Sequence, residues 1–121
     1  LYIMASSPER DDGYLTPLHM KVLCEKLKNI YDYVIIDAPS GIDDGLVIAS
    51  AGADEAIIIS SPDYSAIRDA DNLDRQLVGM GIDKRHLVIN NVEAELMASG
   101  YSPKLREITA MLKPRPTANK R

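Results

Sequence analysis

The stretch with the most chemical content is Tyr31-Asp32-Tyr33-Val34-Ile35-Ile36-Asp37-Ala38-Pro39-Ser40-Gly41. A β-branched run ends in a carboxylate, Asp37, followed by a proline and then a glycine. In open α/β sheets, ligands bind outside the carboxyl ends of the strands. A carboxylate placed there can hold Mg²⁺, directly or through water, and a nearby glycine lets a backbone N–H approach a phosphate closely. A plainer role also fits. Asp37 could cap the turn into the next helix, with Pro39 and Gly41 as ordinary loop punctuation. The residues alone leave both readings open. Asn90 is similar: it ends the apolar run Leu87-Val88-Ile89, where it could meet a ligand or form a turn pair with Asn91.

Other chemistry finds less support. His19 and His86 are far apart in the chain, with no second Cys and no acidic cluster at ligand spacing, so no zinc site is expected. Cys24 has no activating partner nearby in sequence and reads as an inert helix residue. Ser40 lies close to Asp37, but no G-x-S-x-G elbow surrounds it, which argues against a hydrolase triad.

The elements that must position these residues follow from apolar patterning. Leu1–Ala5, Tyr33–Asp37, Glu55–Ser60 and His86–Asn90 read as strands. Val34-Ile35-Ile36 and Ile57-Ile58-Ile59 are continuous runs, the mark of a parallel sheet covered on both faces. Thr16-Pro17 offers an N-cap and a first-turn proline for a helix running to about Ile30, with Leu18, Val22, Leu23, Leu27 and Ile30 on one face. A second helix from about Ser65 to Met80 carries Ala66, Ile67, Ala70, Leu73, Leu77 and Val78 on one stripe, and Gly79 and Gly81 stop it. A short helix over Asp43–Ala51 and a weaker one over Pro103–Leu112 complete the set. The alternating β-α order predicts right-handed βαβ units in a three-layer α/β fold with a mostly parallel sheet. Residues 1–112 read as one domain and 113–121 as a loose tail.

Composition narrows the function. The 121 residues hold no Phe or Trp, one Cys, and a net charge of −4. The acidic balance argues against a dedicated nucleic-acid binder, so no nucleic acid is expected as a partner. A single Cys cannot build an internal disulfide framework and favours a reducing compartment. No apolar run approaches the ~18 residues of a membrane span. On the outer face of the long helix, Arg68, Asp69, Asp71, Asn72 and Arg75 form either a solvated surface or a partner surface. Asp74 falls at the edge of that helix's apolar stripe, where it could pair with a basic neighbour.

Asp37-Ala38-Pro39-Ser40-Gly41-Ile42 resembles the Asp-x-Pro-x-Gly segment of the MinD/ParA group of P-loop ATPases, and the likeness is strongest to the group's septum-siting members. Three further collinear segments resemble the same family: Ala53-Asp54-Glu55-Ala56-Ile57-Ile58, then Ser61-Pro62-Asp63 with the helix after it, then Leu87-Val88-Ile89-Asn90. Leu1–Ser6 is also similar to a family strand and the loop after it. The resemblance covers about residues 1–92 and implies a P-loop NTPase fold of the nitrogenase iron protein type. It implies that Asp37 is the carboxylate that orders Mg²⁺, that Pro39 and Gly41 form the γ-phosphate switch, and that Asn90 reads adenine. It places Arg68 and Asp69 near the dimer and partner surface. The implied cofactors are ATP and Mg²⁺. The implied assembly is a cytoplasmic homodimer that meets cell-division regulators of the MinC/MinE type and lies peripherally on the inner membrane face through a C-terminal helix not visible here.

The family's G-x-x-x-x-G-K-[ST] phosphate loop does not occur in these residues. The expectation is therefore an incomplete fold, a piece of a MinD-like ATPase that is inactive alone. The alternatives are a non-enzymatic α/β interaction module and a fragment of a ParA-type or flagellar-regulator ATPase. In the family's strand order, 3-2-4-1-5-6, the strands here would be 3, 4, 5 and 6, so Tyr33–Asp37 would lack both neighbours. Unpaired buried amides cost about 1–3 kcal/mol each. The chain alone is expected to close up its sheet, pair with another chain, or fold marginally.

Overall fold

A computed structural model describes residues 2–5, 15–100 and 102–111. The elements are α1 (Pro17–Leu27), α2 (Asp44–Ser50), β1 (Glu55–Ser60), α3 (Tyr64–Gly79), β2 (Lys84–Ile89), α4 (Ala94–Ser99) and α5 (Leu105–Met111). The expected tail, 113–121, lies outside the described residues.

The centre is a β-α-β unit. β1 and β2 pair in parallel, from Glu55 opposite Lys84 to Ser60 opposite Ile89, and α3 supplies the crossover that a parallel pair requires. Leu46, Ile58, Ala70, Leu77 and Ile82 form the core, with Ala53, Ala56 and Leu73 packed against it. Ile67, Pro103 and Ile108 are fully buried, and α5 packs on α3.

Three expectations are corrected. First, residues 2–5 and Tyr33–Asp37 are not strands. A strand exists through its ladder, and among the described residues nothing pairs with either segment. Among the described residues the sheet holds β1 and β2. Second, the Ile57-Ile58-Ile59 run is covered on one face only. Ile58 is buried toward α3, whereas Ile57 and Ile59 are exposed. Third, α4 was not anticipated. It is one short helix closed by Gly100 in the left-handed region at φ 82°, a conformation that suits glycine.

α3 is held at both ends. Its N-cap is Asp63, which accepts from the Ala66 N–H at 2.8 Å. The Ser61 hydroxyl, and then that N–H, hold the Asp63 carboxyl below the usual carboxylate range. Near its other end, Asp74 accepts from Arg85 Nε at 2.7 Å. Arg85 Nη1 also donates to the carbonyls of Ile82 at 2.7 Å and Asp83 at 2.8 Å. The Arg85 side chain is only 10% exposed, so the pair fixes the α3–β2 turn from inside. Arg85→Ala removes the ion pair to Asp74 and the donors to the Ile82 and Asp83 carbonyls. It should cost about 1–2 kcal/mol in urea unfolding; an unchanged midpoint would show that the clamp does not hold the turn.

Candidate functional site

Asp37 closes an extended segment and its side chain is exposed. It does not cap the next helix. Asp43 does, accepting from the Gly45 N–H at 3.0 Å. No hydrogen bond or ion pair from another described residue engages the Asp37 carboxylate. Gly41 has φ 108°, which a residue with a Cβ rarely adopts, and an added Cβ there would meet nothing within 4 Å. The backbone between Asp37 and α2 is therefore bent at an open glycine, with a carboxylate at one end and a capped helix start at the other.

Pro39 lies over the first turn of α2. A Cβ added at Gly45 would come within 2.6 Å of Pro39 Cγ. Gly45 thus sets how closely the Pro39 loop can settle on α2. The reading from sequence missed it, because a glycine inside a short helix gives no signal until its neighbour across the loop is known.

Asn90 follows β2 directly, and its N–H donates to the Ser60 carbonyl at 2.8 Å, which ties the ends of both strands together. Asn91 then turns the chain at φ 56°, so the turn element of the Asn90–Asn91 pair belongs to Asn91. Asn90 is exposed at the carboxyl end of the sheet, the edge where α/β folds bind ligands. Among the described residues, no hydrogen bond joins Asp37, Gly41 and Asn90 directly.

Arg68 and Asp69 are exposed on α3, and neither is drawn into an ion pair among the described residues. One turn on, Arg75 and Asp71 pair with each other at 2.6 Å. At the opposite end of the sheet, the Glu55 carboxylate lies 2.7 Å from Lys84 Nζ and 3.4 Å from His86 Nε2. The Lys84 ammonium is the main cause that holds the Glu55 carboxyl below its usual range, and Glu55 in turn raises Lys84. These charges lie at the amino end of the strands, away from Asn90.

Among the described residues, no group of three or more His, Cys, Asp and Glu could cage a metal. A Mg²⁺ ion does not need such a cage, since it usually takes one or two carboxylates, waters and substrate phosphates. The exposed Asp37 carboxylate, with no partner among the described residues, could serve as one such ligand. A depression of about 290 Å³ lined by Pro17, Val47, Ser50, Met80, Gly81 and Ile82 includes none of these residues. Of the candidate residues, Asn90 lies at the carboxyl end of the sheet, and Asp37, Pro39 and Gly41 lie on the exposed segment before α2.

A parallel pair joined by a crossover helix makes this an incomplete α/β arrangement, and its structural neighbours have the P-loop NTPase fold. The comparisons then narrow the class. The fold matches MinD cell division protein from Aquifex aeolicus with a TM-score of 0.76 at 30% identity, over 85% of this chain and 47% of that one. A MinC:MinD cell division protein complex from the same organism matches with a TM-score of 0.75 over 85% of this chain and 46% of that one. In sequence, the chain is 36% identical over 117 residues to the septum site-determining protein MinD of Bacillus subtilis (strain 168), covering 93% of this chain and 42% of the relative. MinD of Synechocystis sp. is 34% identical over 112 residues, with the same two coverages. No protein-family model matches. The chain belongs to the MinD family of P-loop ATPases. It spans less than half the length of the relatives it matches, 42% of the Bacillus protein.

Proposed function

We propose that this chain is the part of a MinD-type, septum-siting ATPase that carries the Mg²⁺-ordering carboxylate, the switch loop and the base-reading edge. The observation that supports this most is the likeness to MinD proteins along 93% of the chain, at 36% identity to the Bacillus relative. On this reading, the Asp37 carboxylate would hold Mg²⁺, directly or through water, Pro39 and Gly41 would form the switch that senses the terminal phosphate, and Asn90 would read adenine. Mg²⁺ and ATP together supply a polarised, transferable phosphoryl group when bound. The protein's own part is positional. Gly45 lets Pro39 rest on α2, the Asp43 cap fixes where α2 begins, and the bond from Asn90 to Ser60 sets the height of the base-reading edge.

The wider activity follows the same reading. Nucleotide binding drives a homodimer, and the dimer meets regulators of the MinC/MinE type across the α3 surface that carries Arg68 and Asp69. The MinC:MinD complex among the structural neighbours supports this choice of partner. The assembled protein lies peripherally on the membrane. Among the described residues, no helix is long and apolar enough to cross it.

These 121 residues contain no G-x-x-x-x-G-K-[ST] motif, which supplies the N–H cradle and the lysine for the phosphates. The purified chain alone should show no Mg²⁺-dependent phosphate release from ATP above buffer. Steady turnover that scales with protein and is lost in Asp37→Ala would overturn this division of labour.

A further inference from the structure

Gly45, in the first turn of α2, leaves no room for a side chain. A Cβ there would lie 2.6 Å from Pro39 Cγ, 3.7 Å from Pro39 Cδ and 3.0 Å from Asp43 Oδ1. No rotamer change relieves the collision with Pro39, because the ring closes on its own backbone nitrogen and fixes φ. Either the Pro39 backbone lifts or α2 retreats. α2 is held from behind. The next residue, Leu46, is buried in the core with Ile58, Ala70, Leu77 and Ile82. The Asp43 carboxylate accepts from the Gly45 N–H and the Asp43 carbonyl from the Leu46 N–H, both at 3.0 Å, which fixes the helix start. The loop is the softer side. Two residues past Pro39, Gly41 has φ 108°, in a region where glycine moves freely. A side chain at position 45 therefore displaces the Pro39–Gly41 segment and leaves α2 in place.

We propose that Gly45 is a positioning residue of the phosphate switch: its bare Cα is the seat for the Pro39 ring, and the depth of that seat sets where Gly41 lies. The proposal rests on the reading of Pro39 and Gly41 as the segment that senses the terminal phosphate. On that reading Gly45 need not touch the nucleotide. It acts through Pro39, from a helix that the core holds still. ATP carries the terminal phosphate and ADP lacks it, so a lifted switch separates the two. Binding of the triphosphate suffers, and binding of the diphosphate does not. A glycine needed only for folding behaves differently, because loss of the fold lowers both affinities together. The Asp43 contact gives a second contrast. If Gly45 served only to leave space for the cap oxygen, its replacement would cost the same whatever residue occupied position 39.

The test uses a complete ATPase, Bacillus subtilis MinD with its matched stretch replaced by this chain. Calorimetry reads the binding of ADP and of the non-hydrolysable ATP analogue AMP-PNP, each with Mg²⁺. Gly45→Ala should weaken AMP-PNP binding by at least about tenfold, the scale of overpacking against a rigid ring. It should change ADP binding by less than about threefold. In a Pro39→Ala background, which removes Cγ and Cδ, the same substitution should cost AMP-PNP binding less than about threefold. Gly79→Ala, where an added Cβ meets nothing within 4 Å, should leave both affinities unchanged. Equal losses for both nucleotides, no loss, or a loss that Pro39→Ala does not relieve would overturn the proposal. If Gly45→Ala alone does not fold by circular dichroism, the double variant must fold; a double variant that also fails shows that the ring is not what the Cβ meets. Pro39→Ala by itself separates the two possible failures. If it leaves the preference for AMP-PNP over ADP untouched, the switch reading is wrong and the proposal goes with it. If it lowers that preference and Gly45→Ala does not, the role of Gly45 alone is refuted.

Discussion

Ile67→Ala should cost about 3–4 kcal/mol, within the usual range for deleting a buried isoleucine. Ile67 is 0% exposed and lies on α3, the crossover helix of the β-α-β unit. The substitution removes three carbons from a site walled on all sides. Part of the cost is lost transfer free energy, and the rest is the cavity that remains. The site has little freedom to collapse, because Asp63 caps the helix start and Asp74 is held by Arg85 near its end. A domain of this size has only about 5–15 kcal/mol in hand, and here one sheet face and two apolar segments are bare. Urea unfolding followed by circular dichroism should show a midpoint lowered by a third or more, or no folded baseline. A loss below about 1 kcal/mol would mean that α3 is not the structural centre of the chain.

The second large effect is expected at Gly52, in the turn that follows α2. A Cβ there would lie 2.5 Å from Cys24 Sγ, 2.7 Å from Cys24 Cβ and 3.2 Å from the Met20 carbonyl. Cys24 is buried, and its short side chain cannot swing clear. Gly52→Ala must therefore push α1 off the turn, and overpacking of this kind costs about 1–3 kcal/mol. The double variant Gly52→Ala, Cys24→Gly removes both colliding Cys24 atoms, Sγ and Cβ, and should be less destabilised than the sum of the two single variants. If the two losses simply add, α1 does not pack where it is described. The pairing also explains the lone cysteine: it fills the space beside a glycine and is not placed for reactivity.

Where local pattern and tertiary environment agreed, the sequence was a good guide. Glu55–Ser60 is strand over the expected residues, and α3, Tyr64–Gly79, begins and ends within one residue of the expected span, Ser65 to Met80. β2 was displaced, expected at His86–Asn90 and found at Lys84–Ile89. Lys84 and Arg85 are too polar to signal a strand; they enter it because β1 lies alongside, with Lys84 paired to Glu55. Tyr33–Asp37 failed in the opposite way. Its composition is that of a strand, but strand pairing is a property of two segments, and its partner is not among the described residues. The site divides similarly. Asp37, Pro39, Gly41 and Asn90 could be picked out as types at spacings. That Asp43 rather than Asp37 caps α2, and that Gly45 faces Pro39, depends on the fold of the loop. The partner suggested for Asp74 at the stripe's edge is Arg85, eleven positions on, which helical phase alone could not name.

The role of Asp37 is the centre of the account, and it can be measured in a complete ATPase. The matched stretch of Bacillus subtilis MinD can be replaced by this chain, so that the relative supplies the remaining length, and Mg²⁺-dependent ATP hydrolysis can be followed. The graft should hydrolyse ATP, and Asp37→Ala within it should reduce the rate on the order of a hundredfold, with the circular dichroism spectrum unchanged. A folded graft that hydrolyses ATP equally well with alanine at position 37 would contradict the account.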